Sequence, residues 1–62
     1  MIIVLTDLDS NEPIYANTHY IVEFHRDDVT GGTKILMGVN GRAVCYVKEH
    51  PGDVMKMLEG VL

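Results

Sequence analysis

Thr33-Lys34-Ile35-Leu36-Met37-Gly38-Val39-Asn40-Gly41-Arg42-Ala43-Val44-Cys45-Tyr46-Val47-Lys48 is the stretch whose reading settles the fold class. Two runs of apolar and β-branched residues flank Asn40-Gly41. Such a pair between apolar runs is the strongest short hairpin signal, because a type I′ turn needs positive φ at both central positions. The stretch therefore reads as two antiparallel strands, at about residues 33–39 and 42–48.

Three more strands are legible upstream. Ile2-Ile3-Val4-Leu5-Thr6 opens a short β-branched strand at about residues 2–8. Asp7 to Pro13 gathers turn-forming residues. Ile14-Tyr15-Ala16 is a brief second strand, and Asn17-Thr18 a corner. The third strand covers about residues 20–26, with Tyr20, Val22 and Phe24 on one face and Glu23 and His25 on the other. Asp27 to Gly32 forms a polar, glycine-rich loop. Downstream, Pro51 and Asp53 suit a first helical turn, and Val54, Met57, Leu58 and Val61 recur at helical spacing, which predicts a helix over about residues 51–60 with Gly60 as its stop. The expectation is one α+β domain over residues 1–62, a small antiparallel β-meander of four to five strands with one C-terminal helix.

Several of these strands are apolar on both faces. Ile3 and Leu5 oppose Ile2 and Val4; Ile35 and Met37 oppose Leu36; Ala43, Cys45 and Val47 oppose Val44 and Tyr46. A solvated antiparallel sheet alternates apolar with polar residues, and one short helix covers one face only. The second face needs a partial barrel or a second subunit, and a homodimer is the favoured answer. Ile35, Met37, Val61 and Leu62 are the candidate self-association contacts. Chain length points the same way. A domain of 62 residues buries only about 60% of its unfolded surface, and a single cysteine, Cys45, allows no disulfide within the chain.

Composition narrows the function classes. The net charge is −4 and the five basic residues are scattered, which argues against nucleic acid as a partner. No run approaches the roughly 18–20 apolar residues of a membrane span, and the chain reads as cytoplasmic. His19, His25 and His50 fall on three different elements, without metal-ligand spacing. Glu23 and His25 share a strand face, which reads as a solvated surface rather than a proton-transfer pair. Asp7-Leu8-Asp9-Ser10-Asn11 begins like a calcium loop, but Glu12 stands where the turn glycine belongs and Thr18 where the bidentate glutamate belongs. Asp27-Asp28 reads as a solvated loop tip, and Gly31-Gly32 lacks the lysine and hydroxyl residue of a phosphate cradle. Cys45, inside an apolar strand, reads as an inert packed thiol. The expectation is no catalytic residue, no metal and no cofactor.

With the strands placed, Ile3-Val4-Leu5-Thr6-Asp7-Leu8, Ile14-Tyr15-Ala16-Asn17, the Asn40-Gly41 hairpin and Val47-Lys48-Glu49 leading to Asp53-Val54 resemble the small flagellar proteins of the FlbD family over nearly the whole chain. That resemblance implies a non-enzymatic accessory protein linked to bacterial flagella. The opening strand, Gly38-Val39-Asn40 and the C-terminal helix also resemble CsrA, an intertwined RNA-binding dimer, although Asp7, Asp9 and Lys48-Glu49-His50 occupy the places where CsrA uses arginines. A phage or mobile-element protein that sequesters a host factor is the third reading. The leading expectation is a self-associating, non-catalytic module that binds another protein.

Overall fold

A computed structural model describes residues 1–60. Five antiparallel strands and one helix are arranged as two sheets: β1 (Ile2–Thr6) with β2 (Pro13–Asn17), and β3 (Ile21–Arg26), β4 (Thr33–Met37) and β5 (Ala43–Val47) in that order. The helix, α1 (Pro51–Glu59), follows β5. The α+β class matches the sequence reading and each strand overlaps the segment expected for it, with β1 and β4 each ending two residues sooner, but the single meander does not hold. Between β2 and β3 the chain turns through a one-turn 3₁₀ helix, Thr18–Tyr20, capped by the Asn17 side chain, instead of through a hairpin. β2 and β3 therefore do not pair, and the two sheets do not close into a barrel. They are joined at one corner, where Asp7 bridges Val47 through Leu8 N–H to Tyr46 C=O (2.9 Å) and Lys48 N–H to Thr6 C=O (2.9 Å).

β1–β2 and β3–β4 are the same hairpin built twice. In each, an aspartate N–H bonds the carbonyl five residues on, Asp7 to Glu12 and Asp27 to Gly32, both at 2.8 Å. In each, the aspartate carbonyl accepts from the residue four ahead, Asn11 or Gly31, and that residue takes positive φ (63° and 79°). The aspartate carboxylate then ties down Ser10 or Thr30, three residues ahead, through both its backbone N–H and its hydroxyl. Asp-x-x-Ser/Thr followed by a residue tolerant of the left-handed region is the shared cause. The first loop, with its calcium-like letters, is such a turn.

The third hairpin stands where Asn40-Gly41 placed it, but its turn is not type I′. Positive φ falls on Gly38 (94°) and Gly41 (71°), not on Asn40. Gly38 N–H bonds Tyr20 C=O (2.8 Å), which holds the end of β4 to β3 and leaves a five-residue loop from Gly38 to Arg42.

A second correction concerns β3. Its register against β4 shifts between Ile21 and Glu23, so two residues of β3 occupy the space of one. The bulge turns Ile21 and Phe24 toward the core, opposite Met37 and Ile35, and leaves Val22 57% exposed. Tyr20, in the 3₁₀ turn, is exposed as well.

The core lies at the corner where the sheets and α1 converge. Ile3, Leu5, Ala16, Ile35, Val47 and Val54 form it, and Phe24, Met37, Met57 and Leu58 pack against it. On α1, Val54, Met57 and Leu58 supply the expected apolar stripe, while Val61 lies outside the described residues. Gly32 marks the tightest approach: a Cβ there would run into the Val47 carbonyl and press on Leu8. Glu49 clasps the corner, one carboxylate oxygen accepting from Thr6 N–H (2.9 Å) and the other from Thr6 Oγ1 (2.8 Å), while its carbonyl accepts from the buried Thr33 hydroxyl.

Candidate functional site

The polar side chains that drew notice in the sequence are spent on structure or face solvent. Ser10 N–H and hydroxyl hold the Asp7 carboxyl below the usual aspartate range. The Thr30 hydroxyl does the same for Asp27. Asp28 pairs with Arg26 at 3.7 Å on the surface. His25 Nδ1 lies 3.6 Å from Glu23 Oε2, with both side chains more than half exposed, so the pair sits on a solvated strand face. His50 stands at the N-cap position of α1 with no side-chain cap, and His19 ends up on the 3₁₀ turn, exposed. The three histidines remain on separate elements. Burial, with a smaller push from Asp7, raises the Cys45 thiol, and its sulfur rests 3.8 Å from Met37 Sδ. Among the described residues no group of three His, Cys, Asp or Glu side chains is placed to hold a metal ion, and no helix is long and apolar enough to cross a membrane.

The surface that stands out is apolar, and it is the outward face of the strands. On β1 and β2, Ile2 (54% exposed), Val4 (50%) and Tyr15 (70%) share the face opposite the core, with Val4 directly across from Tyr15. Thr6, Pro13 and Asn17 complete that face, so it carries no charged residue. On the larger sheet, Val22 and Val44 are also exposed, and Leu36 lies opposite Val44. Of the candidate contacts read from sequence, Ile35 is fully buried in its own core and so is spent inside the chain, while Met37 packs against that core and stays half-buried. Val61 and Leu62 lie outside the described residues.

The opposition of Ile2 and Val4 to Ile3 and Leu5 already marks this face in the sequence. The hairpin repeat and the Glu49 clasp were missed there. The repeat had a signal, Asp-x-x-Ser/Thr at a spacing of twenty residues; the clasp joins positions 43 apart and had none.

Comparison with models of protein families, with curated proteins and with solved structures finds no match. The likenesses to the FlbD family and to CsrA therefore rest on the residues quoted for them.

Proposed function

We propose that this chain is a non-catalytic, cytoplasmic interaction module that associates with itself and acts by binding another protein. The observation that carries the proposal is the outward apolar face. Ile2, Val4 and Tyr15 form a cluster without charge on a chain of 62 residues in which 23% are charged. Isolated exposed hydrophobics are ordinary, whereas a contiguous set on one strand pair, opposite a buried set, marks a contact surface. The acidic groups support a non-catalytic reading, since Asp7, Asp27 and Glu49 are committed to turn and corner hydrogen bonds. The FlbD resemblance gives the role a setting, an accessory protein of bacterial flagella.

Static light scattering across micromolar to millimolar protein tests the first half of the proposal. The expected result is a molar mass that rises with concentration toward that of two chains, with apolar burial showing as a negative heat-capacity change on association. A mass that stays at one chain throughout overturns it. Retention on RNA that weakens steeply with added salt would replace it with the CsrA-like reading.

A further inference from the structure

Each sheet has two outer strands: β1 and β5 meet at the Asp7–Val47 bridge, which covers the Thr6 end of β1, while among the described residues β2 and β3 meet no other strand on their outer sides, and these two are built differently. β3 carries the bulge at Ile21/Glu23 and the charged residues Glu23 and Arg26. Bulges and charges are the usual devices that stop an edge strand from pairing with another chain. β2, Pro13-Ile14-Tyr15-Ala16-Asn17, has neither.

The hydrogen-bonding parity of β2 follows from the two ends of its hairpin. Asp7 N–H to Glu12 C=O and Thr18 N–H to Met1 C=O mark hydrogen-bonded pairs at the limits of the β1–β2 register. Because such pairs alternate with non-bonded ones, Leu5/Ile14 and Ile3/Ala16 are bonded, while Thr6/Pro13, Val4/Tyr15 and Ile2/Asn17 are not. The backbone groups of Pro13, Tyr15 and Asn17 thus point away from β1. Among the described residues, the Tyr15 N–H and C=O find no partner.

We infer that β2 is the self-association edge, pairing antiparallel with β2 of a second copy about a twofold axis at Tyr15. This rests on the self-association reading above and names its surface. The pattern of free groups is self-complementary. Tyr15 and Tyr15 of the second copy exchange N–H···O=C bonds in both directions, and each Asn17 N–H reaches the Pro13 carbonyl of the other copy. Pro13 has no N–H to offer, so the Asn17 carbonyl opposite it gains no bond across the pair and stays at the end of the ladder, where water can reach it. No donor is therefore left facing nothing. Charge favours the same site: two chains of net −4 repel, and β2 has no charged residue. In this register Glu12 lies near Thr18 of the second copy, not near the other Glu12. The joined sheets would make one four-stranded surface, with both Tyr15 side chains flanked by Ile2 and Val4.

The test uses the full chain. Tyr15→Pro removes the central donor without removing any hydrogen bond inside one chain, because Tyr15 N–H points outward. Its fold is checked by amide NMR, and its dimer midpoint should rise at least tenfold against the wild type. Tyr15→Cys in a Cys45→Ser background reads the register directly, since bonded antiparallel partners stand about 5.5 Å apart at Cα, within disulfide reach. That variant should link under mild oxidation, and Val22→Cys in the same background should not. A folded Tyr15→Pro chain whose dimer midpoint is unmoved, or failure of the cysteine at 15 to link while the dimer forms, overturns the edge assignment and leaves self-association standing. A wild-type chain that remains monomeric at millimolar concentration overturns both.

Discussion

Glu49 shows how much one side chain can do in a chain this short. Burial on its own would raise its carboxyl pKa, but the hydrogen bonds from Thr6 outweigh that and hold it below the ordinary glutamate value of 4.5. Asp7 and Asp27 are lowered from 3.8 by their turn hydrogen bonds. A carboxylate lowered in the folded state contributes stability that is fully present above its unfolded pKa and lost as pH falls toward the folded one. Stability should therefore be flat above about pH 5 and decline below it. Glu49→Ala should cost about 1 kcal/mol at neutral pH, the modest end for a partly exposed charge-assisted pair, and less in acid, as the wild-type clasp takes up its proton. Urea denaturation at neutral and at acid pH measures both, and an unchanged difference would remove the clasp as the cause. The neighbouring glycines separate two further effects. Gly32→Ala drives a Cβ into the Val47 backbone, which cannot yield as a side chain tip can, and should cost about 2–3 kcal/mol. Gly31→Ala meets open space and only the positive φ of 79°, for about 1 kcal/mol.

At the scale of elements, the two Asp-initiated hairpins are local structures with local causes, so each should form its turn wherever its six loop residues are kept. The helix is different. Nine residues do not hold a helix in water, and α1 depends on seating Val54, Met57 and Leu58 against the sheets. Gly52, at the second helical position, has nothing within 4 Å of the point where an alanine methyl would stand, so it gives up helix propensity for no packing gain. Gly52→Ala should accordingly raise stability by about 0.5 kcal/mol, read as a small rise in melting temperature. A fall would mean that the first turn is held by contacts that a methyl disturbs.

Across the whole molecule, six buried apolar side chains at one corner hold two sheets and a helix together. A domain of this length has a total stability of roughly 3–9 kcal/mol. Ile35→Ala, which empties the centre of that cluster, should cost about 3 kcal/mol and leave a large unfolded fraction at room temperature, visible by circular dichroism. If the chain self-associates as proposed, its melting temperature should also rise with protein concentration, since a partner that binds only the folded state stabilises it by mass action. A concentration-independent transition would oppose that coupling.

The amino-acid order by itself determined the class, four to five strands, the helix and the division of β1 into two opposed apolar sets, because side-chain alternation, turn residues and helical spacing are short-range properties. It did not determine which of the two sets, Ile3 with Leu5 or Ile2 with Val4, would face the core. Tertiary structure decided the rest. The bulge that exposes Val22, the five-residue loop in place of a type I′ turn, the division into two sheets and the Glu49–Thr6 clasp all depend on contacts between distant positions, such as Gly38 with Tyr20 and Asp7 with Val47. A backbone hydrogen bond between remote strands leaves no mark in the letters on either side, since every residue type but proline carries the same donor and acceptor.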